Sequence, residues 1–147
     1  MTEASAVAIA AIERTLEVKA APERVWRAIS DPDELARWFP QRADWELRPG
    51  GRGTFFWEGH GDFEIRVEAV EPGRYLAWRW GDETVASLDD PARTTLVEWW
   101  IEARPDGGTR LRLRESGFST PERRAGNDEG WTEELGELAA LLDAETA

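Results

Sequence analysis

The chain has 147 residues, with 18 Lys and Arg against 30 Asp and Glu, a formal net charge of −12. That length suits one domain, and so acidic a surface repels phosphate backbones and anionic headgroups, which argues against nucleic acid or a membrane as partner. The lack of cysteine excludes disulfides, thiolate metal centres and a cysteine nucleophile, and one histidine, His60, excludes a multi-histidine metal site.

The opening twenty residues lack a cationic n-region and a continuous apolar core, and no run approaches 18 apolar residues, so the expected location is the cytoplasm. Ile12, Leu16 and Val18, with β-branched residues at both ends, predict a first strand from about Ile9 to Lys19. Pro22 then opens a short helix with Val25, Trp26 and Ile29 on one face. Asp31 caps a second, with Pro32 in its first turn and Leu35, Trp38 and Phe39 as its apolar side before Pro40 ends it.

From Ala43 to Phe118 the period changes to two. Turn signals at Pro49-Gly50-Gly51, Gly59-His60-Gly61-Asp62, Pro72-Gly73, Gly81 to Pro91 and Pro105 to Gly108 mark out about five strands, plus a short one near Trp45. Trp131, Leu135, Leu138 and Leu142 then form one stripe of a closing helix, from about Asp128 to Leu142, with Asn127 or Asp128 as its cap. Thr120-Pro121-Glu122 reads as a separate short turn ahead of it. The order predicts an α+β fold: a curved antiparallel sheet of six or seven strands closed by one amphipathic helix, in a single domain over residues 1–147 with a core at about 9–142.

Nine tryptophans, at 26, 38, 45, 57, 78, 80, 99, 100 and 131, are far more than a chain of this size usually carries. In the strings APERVWRAISDPDELARWF, RPGGRGTFFW, RYLAWRW, VEWWIEARPDGGTRLRLRESGF and GWTEELGELAALL, in that order, the sequence resembles bacterial proteins similar to the C-terminal domain of the activator of heat shock protein 90 ATPase, within the SRPBCC or START-like superfamily. The resemblance spans about Ile9 to Leu142. It implies a helix-grip fold with a cavity between sheet and long helix that holds a small apolar or aromatic molecule, and it implies no single activity.

Matching the strand after Gly50-Gly51 to the family's inward positions places Phe55 and Trp57 inside. Alternation then puts Leu76, Trp78 and Trp80 on one face, Val97, Trp99 and Ile101 on one face, and Leu111, Leu113 and Glu115 on one face. The candidate ligand-binding residues are therefore Phe55, Trp57, Trp78, Trp80, Trp99, Leu113, Glu115, Trp131 and Leu135. The competing reading is that the indoles fill the space themselves, since interiors pack at a density of about 0.74.

An inward Glu115 is costly to bury unless partnered, and it reads as a ligand anchor or general acid–base, or else as turned to solvent by a bulge or paired with an arginine. His60, between two turn glycines, reads as a solvated surface residue. Arg110, Arg112 and Arg114 face away from the cavity, as do Glu98, Trp100 and Glu102, which suits cross-strand ion pairs or a partner surface. Phosphate-loop, nucleophile-elbow and clustered metal-ligand motifs are absent from the sequence, so no metal, cofactor or catalytic residue is assigned.

Three functions follow. The first is binding of a small hydrophobic molecule. The second is a protein-interaction or chaperone-regulator module linked to stress response, as monomer or homodimer. The third is a cyclase, dehydratase or hydrolase acting through Glu115, which lacks a second catalytic group.

Overall fold

The computed structural model of the chain describes residues 9–81 and 88–146. The opening eight residues and the centre of the expected Gly81 to Pro91 loop lie outside that description. Seven antiparallel strands form one sheet: β1 (Ile12–Val18), β2 (Arg42–Trp45), β3 (Arg52–Trp57), β4 (Gly61–Glu71), β5 (Tyr75–Gly81), β6 (Thr94–Ala103) and β7 (Thr109–Ser116). Their spatial order is β1-β7-β6-β5-β4-β3-β2, a meander whose far edge is completed by the first strand. Two short helices, α1 (Pro22–Ser30) and α2 (Pro32–Leu35), fill the connection from β1 to β2, and α3 (Pro121–Thr146) closes the chain.

Period-two alternation makes the sheet two-faced. In β7, Thr109, Leu111, Leu113 and Glu115 are buried while Arg110, Arg112 and Arg114 are exposed, and β6 buries Thr95, Val97, Trp99 and Ile101 on the same side. A register shift between Val67 and Ala69, where β4 meets β5, adds local twist to the longest strand and helps the sheet curl. Gly53 admits a close approach at the other end, because a Cβ there would come within 2.4 Å of the Trp45 Cβ. Trp45 then reaches over the concave face to Phe55 and Trp78, with ring centroids 5.4 and 5.6 Å away.

The α1–α2 corner is pinned by polar bonds. Asp31 caps α2 by accepting from the Asp33 amide at 2.9 Å, and the Trp38 indole donates to the Ala28 carbonyl at 2.8 Å. The helix expected to run to Phe39 ends at Leu35, and Ala36 to Phe39 form a turn. Arg24 ties this corner to the end of α3 through Glu34 at 2.8 Å and Glu145 at 2.6 Å.

α3 is longer than its apolar stripe suggested. Thr120 and Pro121 begin it, the Thr120 hydroxyl accepting from the Arg123 amide at 3.2 Å, so the expected caps Asn127 and Asp128 lie inside the helix. The missing N–H of proline is harmless at a first helical position, which is why the turn foreseen at Thr120 merges with the main helix. Trp131, Leu135, Leu138 and Leu142 form the buried stripe against the sheet.

Candidate functional site

Between the first half of α3 and the open end of the sheet lies a cavity of about 450 Å³. Its wall opposite the helix is aromatic, made by Trp57, Phe63 and Trp80 of the sheet and by Phe39 of the turn after α2. The helix contributes Gly126, Asn127, Gly130 and Trp131, while His60, Arg123 and Glu134 stand at the margin. Trp80 and Trp131 stack with centroids 6.0 Å apart, and Phe39 stacks on Trp131 at 5.2 Å. Phe39 also meets Trp57 edge-to-face at 5.2 Å, and Trp57 meets Phe63 in the same way at 5.2 Å. Offset and edge-to-face pairs favour the ring quadrupoles, so these aromatics hold one another as a surface.

Two helical glycines border the space. A Cβ on Gly126 or Gly130 would meet nothing within 4 Å, and both residues border the cavity. Glycine inside a helix costs about 1 kcal/mol relative to alanine, so the helix gives up stability where it leaves the cavity unfilled.

Beneath the wall sits Glu115, which is fully buried. One oxygen, Oε1, accepts from the Trp131 indole at 2.8 Å. The other, Oε2, accepts from the Trp80 indole at 2.9 Å, the Thr95 hydroxyl at 2.5 Å and the Asn127 amide at 3.0 Å. Neither alternative foreseen for an inward glutamate holds, since it is neither turned to solvent nor bonded to an arginine. Four neutral donors replace the lost hydration, each bond to a charged acceptor contributing about 1.5–3 kcal/mol. Three of those donors, Trp80, Asn127 and Trp131, also line the cavity, so Glu115 fixes the wall from behind. With its oxygens engaged and no surface on the cavity, it is a positioning group.

At the cavity margin Glu134 is pushed up to about 7, first by burial and then by the neighbouring charges of Glu133 and Glu137. His60, on the β3–β4 turn, is exposed and stands at the cavity mouth.

Of the residues singled out from the sequence, Trp57, Trp80 and Trp131 line the cavity and Glu115 braces it. Phe55, Trp78, Trp99, Leu113 and Leu135 are buried but stand off the cavity, in a filled layer deeper under the helix. The reason is Phe39, whose ring centroid lies 5.7 Å from Phe55 and 6.0 Å from Trp78 and occupies the space between them and the opening. Sequence reasoning placed Phe39 on a helix face and so missed this role. Thr95 was within reach of the alternation, two residues before Val97, and Asn127 lies four before Trp131 on the same helical face.

Among the described residues no group of His, Cys, Asp and Glu is arranged to hold a metal ion, and no helix is long and apolar enough to cross a membrane. On the outer face, Arg112 lies over the Trp100 ring at 5.2 Å, the Tyr75 hydroxyl donates to Glu98 at 2.5 Å, and Arg110 pairs with Glu17 at 2.9 Å.

A curved antiparallel sheet wrapped on one long C-terminal helix, with two short helices after the first strand, is the helix-grip architecture of the START-like or SRPBCC proteins. Residues 19–143 match the family described as activator of Hsp90 ATPase homolog 1-like protein, and the chain belongs to that family. No curated protein sequence matches it. The crystal structure of protein MLL2253 from Mesorhizobium loti is 27% identical, with a TM-score of 0.79 over 92% of this chain and 98% of that one. CalU16 from Micromonospora echinospora is 25% identical, with a TM-score of 0.72 over 89% of this chain and 73% of its own. The solution structure of the Aha1 dimer from Colwellia psychrerythraea is 20% identical, with a TM-score of 0.77 over 91% of this chain and 96% of that one, a likeness of fold alone.

Proposed function

We propose that the chain binds a small hydrophobic, aromatic molecule in the cavity between the sheet and the first half of α3. The observation that carries this reading is the pair of helical glycines, Gly126 and Gly130, facing an aromatic wall across about 450 Å³. Ligand cavities span about 300–1,000 Å³ and are mostly apolar with a few polar groups, which matches the aromatic wall and the polar margin of Arg123, Asn127 and Glu134. Titrating the protein with naphthalene while following indole emission tests the reading. Saturable quenching that is weakened in Trp57→Ala supports it, and a linear, non-saturating response that is the same in both proteins overturns it.

A second reading, a protein-interaction or chaperone-regulator module, draws on the family and on the outer face. There a groove of about 320 Å³ is bordered by Tyr75, Trp100 and Ile101 with Glu71, Arg74, Glu98 and Glu102 around them. Aromatic and arginine side chains are favoured at interface centres, and the acidic character of the chain would select a basic partner. Binding of a basic protein that is lost in Trp100→Ala and unaffected by Trp57→Ala would favour this second reading.

A further inference from the structure

Among the polar side chains that α3 sends to the cavity, Glu134 stands apart. Asn127 and Trp131, which precede it on the same face, give their N–H groups to Glu115 at 3.0 and 2.8 Å. Arg123, and His60 at the mouth, are each engaged in an interaction. Glu134 is half-buried, borders the cavity, and makes no hydrogen bond or ion pair among the described residues.

Its place on the helix directs it to the open space. Glu134 lies one turn after Gly130, and helical side chains lean towards the N-terminus, over the preceding turn. The carboxyl therefore stands beside the position where a Cβ on Gly130 would meet nothing within 4 Å. A carboxylate half removed from water without a counter-charge has lost hydration with nothing in return, and Glu133 and Glu137 add like charge from the same helix. Arg123 is about three helical turns away and does not offset it. The facing wall is aromatic, and ring faces attract cations. A neutral donor would satisfy one oxygen and leave the charge, whereas a cation answers the carboxylate, its acidic neighbours and the rings together.

We infer that Glu134 is the polar anchor of the cavity and selects flat aromatic molecules that carry a protonated amine, the ring lying against the aromatic wall and the ammonium on the carboxylate. This rests on the proposed ligand-binding function and names the ligand class within it.

The test compares 2-(aminomethyl)naphthalene with 2-naphthalenemethanol and 2-naphthoate by indole quenching and calorimetry at pH 8, where the amine is protonated and the Glu134 carboxyl, pushed up to about 7, is ionised. In the parent protein the amine is expected to bind about tenfold more tightly than the alcohol, the return for pairing a half-buried charge, and the naphthoate most weakly. Glu134→Gln is expected to bring amine and alcohol to the same affinity while changing that of the alcohol by less than about twofold. Glu137→Gln removes the same charge at an exposed position off the cavity and is expected to keep the preference. Equal binding of amine and alcohol by the parent, a preference that survives Glu134→Gln, or the same loss in both variants would overturn the anchor, and saturable naphthalene binding would then leave the proposed function standing. No saturable binding of naphthalene or of any of the three compounds would overturn both.

Discussion

The two halves of α3 face the same kind of wall and do opposite things with it. The second half presents Leu135, Leu138 and Leu142, all buried, and the aromatic and aliphatic side chains of the sheet close against it. The first half presents Gly126, Asn127 and Gly130 to Trp57 and Trp80, and a cavity of about 450 Å³ results. Aromatic side chains on a concave sheet therefore do not themselves make a pocket. What decides between core and cavity is whether the opposing element sends a side chain into the space, and here the decision changes within one helix.

The largest effect should come from the filled half. Leu138→Asp places an unpaired charge where the side chain is fully buried, and a loss of about 4 kcal/mol or more, seen as absent cooperative unfolding in urea, is expected. Glu115→Gln is next, because a carboxamide cannot accept at both ends. With its amino group at the Oε1 site it faces the Trp131 N–H, and at the Oε2 site it faces Trp80 and Asn127. A cost of about 1–3 kcal/mol in the urea midpoint at pH 7, together with a changed environment for Trp80 and Trp131, is the expected outcome. An unchanged midpoint would mean that the four bonds contribute nothing to stability.

Gly130→Ala acts in the opposite direction, with a gain of about 0.5–1 kcal/mol from helix propensity alone, since its Cβ meets no atom. The smallest effect is the pH dependence at Glu134. Its carboxyl is pushed up to about 7 by burial beside Glu133 and Glu137, so between the usual carboxylate range and that value the folded state binds more protons than the unfolded state. Stability attributable to this group falls as pH climbs through that window. Glu134→Gln should therefore be neutral at low pH and mildly stabilising above pH 7, measured as the difference in urea midpoint from the parent.

The run of strands and the stripe of α3 were legible because each is a short-range periodicity: period two put Leu113 and Glu115 on one face, which the family resemblance marked as inward, and spacings of three and four placed Leu135, Leu138 and Leu142 on one line. The solution found for Glu115 was not legible, because its donors come from β5, β6 and α3, and only the folded sheet brings Trp80, Thr95, Asn127 and Trp131 to one carboxylate. The division of the aromatic wall was hidden for the same reason. Phe39 belongs to the turn after α2, far in sequence from Phe55 and Trp78, and nothing local to those two shows that its ring would pack against them. The helix start was misplaced because Asn127 and Asp128 have capping chemistry, whereas Thr120 with Pro121 lies at the true beginning.

The most direct test of the cavity as a binding site rather than a packing defect is Gly130→Leu, assayed for thermal midpoint and naphthalene binding on the same sample. The leucine removes a helical glycine and fills empty apolar space, so the account predicts a higher midpoint together with loss of saturable indole quenching. A raised or unchanged midpoint with naphthalene binding intact would contradict it, because the space opposite Gly130 would then not be where the molecule is held.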